Sequence, residues 1–131
     1  HFQKDPKCQA KIVEVIQGAA IDVVVDIRED SETYGKWTSV LLTPDNNRQL
    51  YVPRGFAHGF VSLEDNTVFH YLIDNDYAPE LEDGILWNDP AIGINWEEIF
   101  KEYGIENPIL SEKDKNRETL AKCKTRFRRG K

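Results

Sequence analysis

Residues 48–60 read RQLYVPRGFAHGF, which is an apolar segment, a turn and a second apolar segment. Proline presets the backbone of a turn and glycine adopts angles that other residues avoid, so Pro53 and Gly55 mark a tight turn. The flanking residues are rich in Leu, Tyr, Val and Phe, which favour strands. This stretch therefore predicts two short strands, at residues 49–52 and 58–63, joined by the turn.

The same pattern continues on both sides of this stretch. Short segments rich in Val, Ile, Leu and aromatic residues alternate with turn residues such as Gly18, Pro44 and Asn66. Closely spaced strands without intervening helices are typical of an antiparallel sandwich or barrel. We therefore expect an all-β fold, with further strands at residues 11–16, 19–28, 37–43 and 67–73.

The pattern changes to loops and helices after Tyr77. Residues 96–103 carry apolar side chains at helical spacing, Asn95 can cap the start of this helix, and Gly104 can end it. Residues 111–114 read Ser-Glu-Lys-Asp, which is a capping-box pattern and predicts a second, C-terminal helix. Its apolar stripe would be formed by Leu120, Cys123 and Phe127.

The length and composition favour one globular domain over residues 1–131. The chain has 131 residues, of which 40% are apolar, enough for a single hydrophobic core. No apolar run reaches the ~18 residues of a membrane span, and no leader-like segment opens the sequence. Cys8 and Cys123 are too sparse for a disulfide framework, so we expect free thiols and a cytoplasmic protein.

The charge distribution argues against nucleic acid as the main partner. Residues 1–112 carry a net charge of −13 and residues 113–131 carry +7, which together give −6. An acidic body does not neutralise phosphates. We interpret the basic C-terminal segment as a solvated helix and not as a binding arm.

The spacing Pro53-x-Gly55-x-x-His58 resembles the second motif of the cupins, which are double-stranded β-helix (jelly-roll) barrels. The resemblance implies that His58 points into the mouth of the barrel. In metal-dependent cupins the first motif supplies a His-x-His pair and a Glu, whereas the matching position here, His1-Phe2-Gln3, has a single His. His70 lies on the strand face opposite Phe69 and Tyr71, so a metal site would lack ligands and acid–base chemistry without a cofactor is favoured.

The chain further resembles the dTDP-4-dehydrorhamnose 3,5-epimerases, a family of metal-independent cupins. Matching segments follow one another in family order from residue 1 to residue 114, which is more specific than any single motif. They include HFQ at 1–3, QAKIV at 9–13, DVVVDIR at 22–28, RQLYVPRGFAHGF at 48–60, FHY at 69–71, YAP at 77–79, GILWND at 84–89, IGINW at 92–96 and LSEKD at 110–114.

The resemblance implies an epimerase that inverts C3 and C5 of a dTDP-4-keto-6-deoxy-hexose by enolisation. On this basis His1 is the base, paired with Asp114, and Tyr71 is the proton donor. Lys11 is the cation beside the developing enolate oxygen. These groups suffice for enolisation without a metal or cofactor, because positioned acid–base groups contribute ~10²- to 10⁴-fold each.

Four further residues match positions that face the substrate in the family. His58, Tyr77 and Gln3 are expected to bind the nucleotide sugar. Asp22 is a fourth candidate, although strand parity leaves open whether its face of the strand is inward. Asp76 stands where the family often has a second aromatic residue before the Ala-Pro turn, so stacking with the nucleotide base would depend on Tyr77.

Other interpretations of the same residues remain open from the sequence alone. Asp114 also fits the last position of the capping box, Lys11 a surface lysine and Tyr71 a half-buried core tyrosine. The protein as a whole could be a metal-dependent cupin oxygenase or isomerase, or a non-catalytic cupin that binds a sugar nucleotide. The resemblance also implies a homodimer and an N-terminal arm, with an Arg, that would precede His1.

Overall fold

The computed structural model describes residues 1–130, and most of its regular elements are β-strands. Strands β1 to β8 and two α-helices follow the chain in order, with one 3₁₀ turn at Pro79–Leu81 before β8. Their bounds are β1 Phe2–Gln3, β2 Lys11–Gln17, β3 Ala20–Asp26, β4 Trp37–Leu42, β5 Leu50–Val52, β6 Phe56–Ser62, β7 Val68–Ile73, β8 Glu82–Asp83, α1 Trp96–Glu102 and α2 Glu112–Lys115.

Two antiparallel three-stranded sheets form the body of the fold. Their strand orders are β5-β2-β7 and β4-β3-β6, and β1 pairs with β8 in a separate short ribbon. Strand β3 is buried along its whole length, whereas β2 buries only Val13 and Val15. The predicted all-β class is therefore confirmed, and the six predicted strands agree with β2 to β7 within two residues at each end.

The turn before β6 places His58 beside Asp22. Gly55 has a φ of 88°, which a residue with a side chain rarely adopts, and its carbonyl accepts a hydrogen bond from the Ile27 amide at 3.0 Å. The strand that follows pairs with β3, so that His58 lies opposite Val24. Asp22 is the diagonal neighbour of His58 in this register, within reach of its ring.

Helix α1 packs on the face of β3 that carries Ile21 and Val23. Trp96 and Ile99 are its buried residues and join Ile21 and Val23 in one hydrophobic cluster. This helix agrees with the prediction, except that the Asn95 side chain does not cap it and donates to the carboxylate of Glu98 at 3.2 Å. None of the helices within residues 1–130 is long and apolar enough to cross a membrane.

The predicted C-terminal helix is wrong beyond its first turn. Helix α2 ends at Lys115, and residues 116–130 run as turns and extended segments along the end of β3. The amide of Glu29 donates to the Phe127 carbonyl at 2.9 Å, and the Thr125 hydroxyl donates to the Ile27 carbonyl at 2.6 Å. Leu120 and Phe127 are buried as expected. Local backbone bonds occur in the turn at residues 119–123, where the Cys123 amide donates to the Thr119 carbonyl, but the residues that follow bond to Ile27 and Glu29 and do not continue a helix.

Candidate active site

One open cavity of about 1080 Å³ runs between the ends of β1, β6, β7 and α2. It brings together seven of the eight residues predicted from the sequence, although they come from distant parts of the chain. The eighth, Asp22, lies behind His58. The seven predicted residues that lie in its lining are His1, Gln3, Lys11, His58, Tyr71, Tyr77 and Asp114.

The imidazole of His1 lies between two carboxylates. Its Nε2 is 2.5 Å from Oδ1 of Asp114, and its Nδ1 is 2.7 Å from Oε1 of Glu82. The backbone of His1 is fixed by a reciprocal pair of hydrogen bonds with the backbone of His58, each 2.9 Å long. The ring therefore stands at the edge of β6 with both nitrogens engaged.

The backbone amide of Asp114 is capped by Ser111 at the start of helix α2, while the Asp114 side chain contacts His1. The Ser111 hydroxyl accepts a hydrogen bond from the Asp114 amide at 3.1 Å, as the capping pattern predicts. In a complete capping box the carboxylate would turn back to the Ser111 amide. Here that carboxylate reaches His1 instead, so the two interpretations of Asp114 are compatible.

Glu82 is a member of this cluster that sequence reasoning missed. Its carboxylate accepts hydrogen bonds from Lys113 Nζ at 2.8 Å and from the Arg117 guanidinium at 2.7 Å, in addition to His1. Burial opposes its ionisation, but the hydrogen bonds from Lys113 and His1 outweigh burial and lower its pKa to about 2. No local pattern marks Glu82, because only the pairing of β8 with β1 brings it beside His1.

Tyr71 and Lys11 form the neighbouring wall of the cavity. Tyr71 is half-exposed on β7, and Lys11 extends from the adjacent strand β2 with Nζ 5.9 Å from the centre of the Tyr71 ring. Burial lowers the pKa of Lys11, while the charges of Asp22 and Glu82 act in the opposite direction. A partly desolvated ammonium group interacts strongly with a new negative charge nearby.

Asp22 is fully buried and orients His58. Its Oδ2 is 2.7 Å from Nε2 of His58, and its Oδ1 has no hydrogen-bond partner among residues 1–130. Burial raises the pKa of Asp22 although the hydrogen bond to His58 opposes this shift. The face of β3 that the sequence left undecided therefore points toward the cavity-lining His58.

An aromatic surface continues the wall from Tyr71. The rings of Phe60 and Phe69 are stacked with centres 4.1 Å apart, and Phe69 lies 6.2 Å from Tyr71 and 6.0 Å from His58. Along β6 and β7 these side chains share one strand face and alternate with residues of the opposite face, as the strand period requires. The cavity thus combines one charged end with one apolar surface.

Gln3 lines the cavity and also binds the segment that carries Tyr77. The buried side-chain amide donates to the carbonyls of Lys7 and Asp76, and its oxygen accepts from the Ala78 amide at 2.9 Å. Tyr77 itself is exposed at the cavity mouth. Direct contact of Gln3 with a substrate stays a prediction, whereas its hydrogen bonds to the backbone of Asp76 and Ala78 are present in the structure.

Within residues 1–130, no three His, Cys, Asp or Glu side chains are arranged to hold a metal ion. The thiols of Cys8 and Cys123 are free, and Cys8 is buried in the core beside Ile27 and Phe127. Burial raises the pKa of the Cys8 thiol to about 11, so it is held as a neutral core side chain.

The chain is similar to one protein family over almost its whole length. The family described as dTDP-4-dehydrorhamnose 3,5-epimerase matches residues 1–122. A dTDP-4-dehydrorhamnose 3,5-epimerase of Sinorhizobium fredii is 44% identical over 127 residues, which cover 97% of this chain and 62% of that protein. One of Methanothermobacter thermautotrophicus is 46% identical over 116 residues, covering 88% of this chain and 60% of that protein.

Solved structures of the same kind share the fold. The Bacillus anthracis enzyme with TDP and PPi bound has a TM-score of 0.81 and 44% identity, covering 90% of this chain and 63% of that one. The Legionella pneumophila enzyme in complex with dTDP-4-keto-L-rhamnose has a TM-score of 0.82 and 39% identity, covering 91% and 60%. The likeness confirms the predicted cupin jelly roll, and the chain spans about 60% of the length of the curated relatives cited.

Proposed function

The chain belongs to the dTDP-4-dehydrorhamnose 3,5-epimerase family, and from that premise we propose that the protein inverts carbon centres beside the ketone of a dTDP-4-keto-6-deoxy-hexose. The observation that carries this proposal is the convergence of His1, Asp114, Tyr71 and Lys11 on one cavity. Such a set of groups has little use in a protein that only binds a sugar.

The chemistry of a 4-keto sugar requires these groups. The ketone acidifies the C–H bonds at C3 and C5, so a base can remove a proton and leave an enolate. Inversion then requires an acid that returns a proton to the opposite face of the ring. His1 is the proposed base, because imidazole removes protons near neutral pH and Asp114 holds its ring.

Tyr71 is the proposed acid and Lys11 the proposed partner of the enolate oxygen. The phenol of Tyr71 stands on β7 and the imidazole of His1 at the edge of β6, so they approach the cavity from different strands. The Lys11 ammonium group reaches the same space from β2. A preorganised cation of this kind stabilises an oxyanion by a few kcal/mol.

The nucleotide part of the substrate is proposed to lie at the cavity mouth. The Bacillus anthracis structure holds TDP and the Legionella pneumophila structure holds a dTDP sugar. Tyr77 offers an exposed ring at this mouth for stacking with the base, and Gln3 fixes the backbone on both sides of it. His58, held by Asp22, is proposed to contact the sugar ring.

Deuterium exchange tests this function directly. The full chain is incubated with dTDP-4-keto-6-deoxyglucose in D₂O, and exchange at C3 and C5 is followed by proton NMR. We expect exchange at both carbons, its loss in His1→Ala, and retained exchange with impaired inversion in Tyr71→Phe. Exchange at one carbon alone would indicate a mono-epimerase, the activity named for a similar Streptomyces bikiniensis protein.

Two results would overturn the proposal. Binding of the dTDP sugar without any exchange would indicate a non-catalytic binding protein. Exchange that is lost on chelation and restored by stoichiometric iron or manganese would indicate a metal-dependent cupin.

We also propose that the protein is a homodimer, supported by an apolar row on the outer face of the β5-β2-β7 sheet. Tyr51, Ile12 and Leu72 stand opposite one another across the three strands, and each is at least 40% exposed. Contiguous exposed apolar residues are typical of an interface, here with a second copy. Light scattering should give twice the mass of the chain, and Leu72→Lys should lower it, whereas Lys101→Ala on α1 should not.

A cytoplasmic location is proposed on the free state of both cysteines. Secreted proteins generally pair their cysteines, and Cys8 and Cys123 are not joined. Fractionation of the source cells tests this proposal, and recovery of the protein outside the cytoplasm would contradict it.

A further inference from the structure

The two ring nitrogens of His1 each face a carboxylate, which fixes their protonation. A carboxylate accepts hydrogen bonds and donates none, so each nitrogen must carry a hydrogen to make its contact. If both carboxyl groups are ionised, the contacts of Nε2 with Asp114 and of Nδ1 with Glu82 require a hydrogen on each nitrogen, which leaves the ring without a free lone pair. Such a ring cannot remove a proton from carbon, so this arrangement is a resting state of the proposed base.

One of the two carboxylates must separate from the His1 ring before the ring can accept a proton. The neighbouring charges indicate that Glu82 is the one that separates. Apart from His1, the Glu82 carboxylate contacts Lys113 at 2.8 Å and Arg117 at 2.7 Å. Within residues 1–130, the Asp114 carboxylate has no such second cation. Separation from His1 would therefore leave Glu82 paired and Asp114 unpaired, and an unpaired charge in a partly buried place is costly.

The position of Glu82 also suits contact with an incoming substrate. Its side chain is only 14% exposed and, like His1, lines the cavity. His1, Lys113 and Asp114 line the same cavity. A sugar ring placed against His1 would compete with Glu82 for contact with the imidazole.

We propose that Glu82 is a positioning residue that holds the second ring nitrogen of His1 while the cavity is empty and releases it when the nucleotide sugar binds. On release, the Nδ1 hydrogen leaves to solvent as a proton, and the electron pair of that N–H bond stays on Nδ1. The neutral ring keeps its Nε2 hydrogen on Asp114. Binding is therefore accompanied by the release of one proton, before any proton is taken from the sugar.

This inference rests on the proposed function, and calorimetry tests it apart from catalysis. The probe is dTDP-quinovose, which has no ketone and cannot enolise. Its binding enthalpy is measured at pH 7 in buffers of different ionisation enthalpy, and the slope counts the protons released. We expect a slope near one for the unaltered protein and near zero for Glu82→Gln.

Matched variants keep the test decisive. Glu80→Gln changes an exposed glutamate on the neighbouring 3₁₀ turn and should release the same proton as the unaltered protein. Asp114→Asn should also keep the release, because Glu82 still faces Nδ1. Glu82→Asp replaces Glu82→Gln if that variant fails to fold, since its shorter side chain withdraws from His1.

Three results would overturn the proposal: no proton released by the unaltered protein, equal release from Glu82→Gln, or loss of release in Asp114→Asn with release kept in Glu82→Gln. The proposed function fails on a different observation, the absence of exchange at C3 and C5. Exchange without proton release would retain the function and remove this role of Glu82.

Discussion

The backbone amide of Asp114 takes part in the cap of α2, and its carboxylate contacts the imidazole of His1. Two substitutions separate these roles. Ser111→Ala removes the cap of α2 and should lower the free energy of unfolding by about 1 kcal/mol with little change in exchange rate. Asp114→Asn keeps the backbone amide that Ser111 caps but removes the charge beside His1, and should slow C3 exchange by ~10²-fold or more. Urea unfolding and NMR exchange measure the two effects. Equal loss of activity in both variants would contradict this division.

The lowered pKa of Lys11 predicts how the exchange rate changes at alkaline pH. Burial lowers the pKa of Lys11 from its ordinary value of 10.5. As the pH rises, Lys11 therefore loses the charge that would stabilise the enolate below pH 10.5. The exchange rate should therefore fall on the alkaline side below pH 10.5. Lys11→Met should lower kcat by ~10²- to 10³-fold while dTDP binding persists.

Lys11→Arg is the control for this assignment. Arginine keeps its charge at all accessible pH values, so the alkaline decline should move upward in whatever activity remains. An unchanged decline in Lys11→Arg would show that another group causes it.

At the scale of single elements, the Pro53–Gly55 turn controls where β6 begins. A Cβ at Gly55 would lie 2.6 Å from Cγ of Arg28, and the φ of 88° is unfavourable for alanine. Gly55→Ala should therefore destabilise the protein by about 2 kcal/mol or more and displace His58, which lowers activity as well.

Gly104 provides the comparison for this prediction. It also has a positive φ, of 68°, but a Cβ there meets no atom within 4 Å. Gly104→Ala should cost only the backbone term of about 1 kcal/mol and leave activity unchanged. Thermal unfolding of both variants measures the difference, and equal destabilisation would show that the contact with Arg28 is unimportant.

Phe127 tests the role of the segment that replaces the predicted C-terminal helix. Its ring is buried and meets Phe2 edge-on with centres 5.8 Å apart. Phe127→Ala should lower the free energy of unfolding by about 3 to 5 kcal/mol, because the void left by the missing ring would lie in the hydrophobic core. Arg128→Ala, in an exposed neighbour, should change it by less than about 0.5 kcal/mol, and a similar loss in both would contradict a core role for Phe127.

The strands could be predicted from the sequence, whereas the conformation of residues 116–130 could not, and the difference has a physical reason. Strands β2 to β7 combine apolar side chains with turn residues between them, so local preferences and burial agree. Leu120, Cys123 and Phe127 also have helical spacing, but this spacing indicates only that their side chains face the core. It does not determine the conformation of the backbone. The backbone partners of this segment, Ile27 and Glu29, are about a hundred positions away and leave no local trace.

The candidate site shows the same division. His1, Tyr71 and Asp114 were found through family resemblance and lie together in the structure, while their catalytic roles stay predictions. Glu82 was missed because its place depends on the short ribbon of β1 and β8. The direction of Asp22 required the register between β3 and β6, which alternation alone does not determine.

At the scale of the whole molecule, Glu82 links stability to acid pH. Its pKa falls from 4.5 to about 2 on folding, so its contribution is complete above pH 4.5 and is lost as the pH falls through about 2. With allowance for solvent screening, the loss should amount to about 1 to 2 kcal/mol. Denaturant unfolding between pH 5 and pH 2 should show this loss, and Glu82→Gln should remove it. An equally steep loss in Glu82→Gln would assign it to other carboxylates, such as Asp26, whose pKa is also lowered because hydrogen bonds from Arg28 and Ser31 outweigh the effect of burial.

The contact between His1 and Asp114 joins positions 113 residues apart in the chain. A ribosome synthesises the cavity walls on β6 and β7 long before it reaches Asp114, and the exit tunnel withholds Asp114 for longer still. On the proposed mechanism, a nascent or prematurely terminated polypeptide could form the aromatic wall but would lack the carboxylate that holds the imidazole. Turnover would then begin only in copies whose synthesis has passed Asp114, so catalytic output would report translation through α2.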